Sequence, residues 1–165
     1  MTVLAVERLS DLLLLREDWQ QVFGMLEKHY TEVATFKHLL NFNPDLPRYQ
    51  QLEREQRLHI VIMRQDSAIV GYSVHIIANG LLHYRNIKVA DDDIHYLMPH
   101  LRGTGEHARM RRFAMKTLKE KGVQLITARS RFGHEHDKAI KDIGFEPWDL
   151  VYACDLTRWE PPAEG

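Results

Sequence analysis

Between positions 96 and 110 the chain reads YLMPHLRGTGEHARM. A short apolar run ends at Leu97 and Met98, and Pro99 forbids its simple continuation. Arg102-Gly103-Thr104-Gly105 then opens a segment with helical periodicity. The first N–H groups of a helix have no partner inside it, and the helix dipole adds partial positive charge beside them. Glycines at that point take dihedrals and permit close approaches that a Cβ would block. This is chemistry for holding an anion, and a phosphate or pyrophosphate fits it best. Two familiar phosphate loops do not apply. No G-x-x-x-x-G-K-[ST] string occurs, and Ala108 stands where the third glycine of G-x-G-x-x-G belongs.

Proton-transfer groups lie just upstream, where residues 90–98 read as the strand feeding the loop. Asp92, Asp93 and His95 sit on it, and alternation places Asp93, His95 and Leu97 on one face and Ile94, Tyr96 and Met98 on the other. A carboxylate or imidazole there can accept a proton from a nucleophile. The plainer alternatives are a solvated turn at Asp91-Asp92-Asp93 and a hydrogen-bonded core-edge histidine. His134-x-His136-Asp137 carries metal-ligand types, but an H-x-H pair alone is a weak signal and no cysteine is spaced nearby, so no metal is expected. The lone cysteine, Cys154, excludes an internal disulfide and reads as a small buried strand residue rather than a nucleophile.

The string P-x-x-R-G-x-G directly after a strand resembles the pyrophosphate loop of the GNAT superfamily, the acetyl-CoA-dependent N-acetyltransferases, whose motif is [RQ]-x-x-G-x-[GA]. Arg102 and Gly105 take its first and fourth positions, and His107 its sixth. A register beginning at His100 would place both glycines but lose the arginine. The first register sets Met110, Ala114 and Leu118 three, seven and eleven residues past the motif, which makes one apolar helical stripe, and Pro99 three residues before Arg102. Lys121-Gly122-Val123 and Ile143-Gly144-Phe145-Glu146 match later family landmarks. His83-Tyr84 and the Y-L-x-P-x-x-R run are similar to bacteriophage-encoded members.

The resemblance implies an acyltransferase that moves an acetyl group from acetyl-CoA to a primary amine of a small molecule or protein. The backbone of Leu97 and Met98 would bind the pantetheine arm. Arg102 and the amides of Gly103, Thr104, Gly105, Glu106 and His107 would bind the pyrophosphate. Asp93 matches the position of a glutamate that acts as base in many members, with His95 as a second candidate. The usual thiolate-protonating tyrosine of the last helix is replaced by Ile140, so His136, one turn earlier, is the candidate acid. His134 and Tyr152 are weaker candidates. The alternative is a GNAT-fold binding module with little or no catalysis.

These groups need a scaffold. With 165 residues, 44% of them hydrophobic and 27% charged, the chain reads as one globular unit. We place the domain at residues 1–157 and a flexible tail at 158–165. A net charge of -1 argues against nucleic acid as a general partner, despite the basic run from Arg109 to Lys121. No apolar stretch is long enough to cross a bilayer, and the start has no signal-peptide pattern, so a cytoplasmic location without membrane contact is expected. A homodimer is compatible with the sequence. Helices are expected near 11–26, with Ser10 as N-cap, at 31–40, 49–57, 105–121 and 134–143. Strands are expected at 3–9, 58–63, 68–78, 81–85, 90–98, 123–128, 145–148 and 151–156, with a hairpin turn at Asn79-Gly80. The order is α+β and GNAT-like: a central mixed, mostly antiparallel twisted sheet of about six or seven strands flanked by about four helices.

Overall fold

The computed structural model describes residues 1–129, 137–148 and 153–158. Five strands form one sheet in sequence order: β1 (Thr2–Glu7), β2 (Leu58–Gln65), β3 (Ala68–Leu81), β4 (Tyr84–Leu97) and β5 (Leu125–Ala128). The first four pair antiparallel, and β5 adds parallel to β4. That parallel step needs a crossover, supplied by the helix α4 (Glu106–Glu120). Helices α1 (Leu9–Leu14), α2 (Arg16–Val33) and α3 (Leu46–Arg54) cover the opposite face, and α5 (Asp137–Lys141) follows β5.

The sheet is covered on both sides, which explains the nearly continuous apolar run of β2. Its alternate residues feed two cores. Ile60 and Ile62 join Tyr72, Tyr96 and the helices α1 to α3. Val61 and Met63 join Leu97, Met110 and Ala114 under α4. The stripe Met110, Ala114 and Leu118 is buried, as the loop register requires.

Several sequence expectations are corrected. The hairpin turns at Leu82-His83, so the strands expected at 81–85 and 90–98 merge into the single long strand β4 that starts at Tyr84. Gly80 is instead the irregular residue between Asn79 and Leu81, with φ of 99°, and a Cβ there would lie 3.0 Å from the Arg85 carbonyl oxygen. Together with 145–148 and 153–156, which are not strands, this reduces the count among the described residues to five; Val151 and Tyr152 lie outside them. The helix expected at 11–26 is broken at Leu15, which is exposed. Helix α2 runs on to Val33, and no helix spans 34–40. Ser10 is not a cap, because α1 already begins at Leu9, and its backbone N–H bonds the Glu53 carboxylate. Asp45 does cap α3, accepting from the Arg48 N–H at 3.0 Å, with Pro47 in the first turn. Cys154 is exposed and outside any strand. No helix among the described residues is long and apolar enough to cross a membrane.

Candidate active site

The glycine loop joins the end of β4 to the start of α4. Residues 99–101 make a single 3-10 turn, and Gly103 and Gly105 follow with φ of 78° and 88°, left-handed conformations that favour glycine. Beyond the chain neighbours, no atom of the described residues lies within 4 Å of the place a Cβ would occupy at either glycine, so the loop is open on that side. Gly105 is the N-cap of α4 and offers no side chain to its amides. The N–H groups of Gly103, Thr104, Gly105 and Glu106 have no acceptor among the described residues. Such a cradle of unbonded amides at a helix N-terminus is a geometry that can hold an anion.

The cradle continues an unpaired strand edge. The Met98 N–H bonds the Val70 carbonyl, so in the antiparallel ladder Tyr96 and Ile94 also face β3. The N–H and C=O groups of Leu97 and His95 therefore face the other way. On that side β5 pairs only with Val89, Ala90, Asp91 and Asp92. Beyond Asp92, among the described residues, nothing continues the ladder. Arg102 reaches into the gap: its Nε donates to the Leu97 carbonyl at 2.9 Å and its Nη2 to Glu32 at 2.7 Å, and its guanidinium lies 5.2 Å above the Tyr96 ring.

A β-bulge in β4 sets the direction of the acidic residues. Ser73 and Val74 face His95 and Ile94, but His75 faces Asp92, which leaves Asp93 as the extra residue. Asp92 thereby points under α4, where it pairs with Arg111, both buried, and its Oδ1 lies 3.8 Å from His75 Nε2. Asp93 points the other way, towards α3, and accepts a 3.0 Å hydrogen bond from the Tyr49 hydroxyl. Simple alternation had put Asp93 and His95 on one face; the bulge separates them. Desolvation by the surrounding elements raises the Asp93 pKa above the usual carboxylate value, against the Tyr49 hydrogen bond that lowers it, with Asp91 adding a further rise. Burial, then the Asp93 charge, raises the Tyr49 pKa, so its hydroxyl keeps its proton and remains a donor.

His95 belongs to a different environment. Its ring centroid is 4.2 Å from that of His107, in the first turn of α4. Both its ring nitrogens are enclosed and without a hydrogen-bond partner among the described residues. Burial, with Arg111 close by, holds its pKa well below the ordinary histidine value, so it is neutral. His75 is likewise held neutral by burial, and burial pushes the His59 pKa down to about 3. Ile140 is placed on α5, which ends at Lys141, and the turn after it closes at Gly144 with φ of 100°. The proposed acid His136 and its alternative His134 lie outside the described residues.

The structure adds residues that the sequence did not single out. Tyr49 and Leu52 were visible only as part of a polar helical piece, although Leu46, Tyr49 and Leu52 recur at three-residue spacing. Arg57, Arg48 and Glu32 gave no signal, because their roles depend on which strand end the helices reach.

No family model matches the chain, and no curated protein matches it. Solved structures do. A predicted acetyltransferase from Clostridium acetobutylicum, solved with acetyl-CoA, superposes with a TM-score of 0.72 at 14% identity over 98% of this chain and 100% of that one. An aminoglycoside acetyltransferase from an uncultured soil metagenomic sample, in complex with trehalose, gives 0.71 at 13% identity over 94% and 96%. A protein named as a transcriptional regulator from Bacillus halodurans gives 0.70 at 14% over 94% and 99%. At such identities the likeness speaks for the fold alone. The chain has the fold of the GNAT-type acetyltransferases.

Proposed function

We propose that the protein is an N-acetyltransferase that moves an acetyl group from acetyl-CoA to a primary amine. The observation that carries this reading is the continuity of two features: an unpaired β4 edge that runs directly into a glycine cradle of unbonded amides. A pantetheine arm laid along Leu97 would add hydrogen bonds like a further strand. Its pyrophosphate would then reach residues 103–107, with Arg102 moving off the Leu97 carbonyl.

In this reading Asp93 takes a proton from the incoming ammonium. The amine nitrogen forms a bond to the thioester carbonyl carbon, and the outward N–H groups of β4 stabilise the charge that develops on oxygen. The C–S bond breaks as the second amine proton leaves, and the CoA thiolate is protonated by water or by His136. One proton is released for each amide formed. The binding-module alternative draws on Ile140 at the usual tyrosine position and on the engagement of Arg102 by Glu32.

Thermal unfolding with acetyl-CoA, CoA and ATP separates the two readings. Acetyl-CoA and CoA at about a hundred times their dissociation constants should each add about 2.7 kcal/mol, and ATP, which lacks the arm, much less. No shift with millimolar acetyl-CoA would favour the binding module.

A further inference from the structure

On the face where Asp93 points, α3 and the strands line an open cavity of about 360 Å³, within the range of small-molecule sites. Its apolar walls include Leu52 and Ile76, and its charged groups include Asp93, Arg48 and Arg57. The Asp93 Oδ2 accepts from Tyr49, and its Oδ1 has no hydrogen bond among the described residues. Arg57 is fixed by its Nε on the Ile77 carbonyl at 2.9 Å and its Nη1 on Glu55 at 3.1 Å, which leaves Nη2 uncommitted. Arg48 uses only Nη1, on Gln51 at 2.8 Å. The remaining acid of the lining, Asp45, caps α3 through Oδ1.

Such a cavity is bipolar. A carboxylate on the sheet side is set against two guanidinium groups that retain unused N–H donors. A ligand with an ammonium alone would leave the arginines unanswered, and a polyamine would be repelled by them. Guanidinium forks match the oxygens of a carboxylate or phosphate. We propose that this cavity holds the acceptor and that the acceptor is a small amine carrying an anionic group, its amine at Asp93 and its anion at Arg48 and Arg57. This rests on the acetyl-transfer reading, since the amine placed at Asp93 is the one that attacks the thioester.

The test is a panel of ω-amino carboxylates of increasing length, the carboxamide of each, ω-aminophosphonates, and diamines of matching length. Binding to the whole protein is followed by calorimetry, with and without acetyl-CoA, and turnover by release of CoA thiol. An amino carboxylate or aminophosphonate should exceed its carboxamide and diamine counterparts by about tenfold or more in kcat/KM, because those leave the guanidinium groups of Arg48 and Arg57 without an anionic partner. The better of the two acids identifies the anion. Arg48→Gln, on an exposed side chain, and Arg57→Lys, which keeps the charge if Arg57→Gln fails to fold, should narrow that preference and leave acetyl-CoA affinity unchanged. Carboxamides or diamines turned over as well as the acids would overturn the proposal. So would acetyl-CoA binding with no acid of the panel bound or acetylated, and the acetyl-transfer reading would survive that result. Failure of acetyl-CoA itself to bind is a separate outcome, and it would remove both.

Discussion

Three consecutive aspartates on β4 end in three different environments. Asp91 ties the strand to β5, accepting from the Thr127 hydroxyl at 2.7 Å and pairing with Arg129 at 3.0 Å. Asp92 is buried beneath α4 in an ion pair with Arg111, beside the neutral His75. Asp93, turned by the bulge, stands at an open cavity with only a tyrosine hydroxyl on one oxygen. The residue type is the same and the sequence distance is one, so burial and partners decide the role. A buried, paired carboxylate holds elements together, while an accessible one with a raised pKa is available for proton transfer.

Substitution breaks the comparison most sharply at Asp93. Asp93→Asn should lower kcat by about 10² to 10⁴ once an acceptor is in hand, with acetyl-CoA affinity and thermal stability near wild type. In the wild-type enzyme the acid limb of kcat/KM should begin above the usual carboxylate range, because the Asp93 pKa is raised, and the asparagine variant should lose that limb. Normal turnover in this variant, with His95→Ala or His136→Ala inactive, would transfer the role to a histidine.

Asp92→Asn should do the reverse. Removing one partner of a buried pair leaves Arg111 uncompensated and costs about 3 to 5 kcal/mol in denaturant unfolding. Replacing both by apolar residues should recover most of that loss. A mild effect of Asp92→Asn would erase the distinction between the two aspartates.

The same buried face under α4, reached from β2 by His59 at Thr117, predicts a pH dependence. His59 has a folded pKa of about 3, below that of the unfolded chain, so the unfolded state binds the proton first as pH falls. Stability is therefore lost on acidification from about pH 6.5, reaching about 2 kcal/mol for this residue at pH 5. His59→Gln should flatten the dependence measured by thermal unfolding between neutral and mildly acid pH. An unchanged slope would show that His59 is not the residue responsible.

How much of this could be read from the sequence follows from the range of the forces involved. The cradle was legible because glycine dihedrals, a proline stop and a helical stripe are local, and Gly103, Gly105, Met110, Ala114 and Leu118 take the predicted places. The direction of Asp93 was not, because a bulge depends on how β3 and β4 register over their length. Asn79-Gly80 looked like a hairpin turn, yet the strands extend past it and Gly80 serves the irregularity instead. The cavity was invisible because Arg48, Tyr49 and Arg57 meet Asp93 only when α3 docks on the sheet. The single helix expected near 11–26 is divided for a related reason, since the chain breaks at Leu15 and leaves that leucine exposed.

The smallest expected effect concerns the loop. Gly105→Ala forces a Cβ into a left-handed conformation at about 1 to 2 kcal/mol, yet meets no protein atom. Any further loss of CoA affinity beyond that cost, measured by calorimetry, reports contact with the ligand, and an affinity that does not change would place the phosphates elsewhere.

Hydrogen exchange of the β4 amides, read by NMR with and without saturating acetyl-CoA, tests the central claim most directly. In the unliganded protein the outward Leu97 and His95 amides should exchange faster than Tyr96 and Met98, which face β3. Acetyl-CoA should slow Leu97 together with the amides of residues 103–106, and ATP should leave Leu97 unchanged. If saturating acetyl-CoA protects neither Leu97 nor the loop, the unpaired strand edge and the glycine cradle are not its binding site, and the account fails.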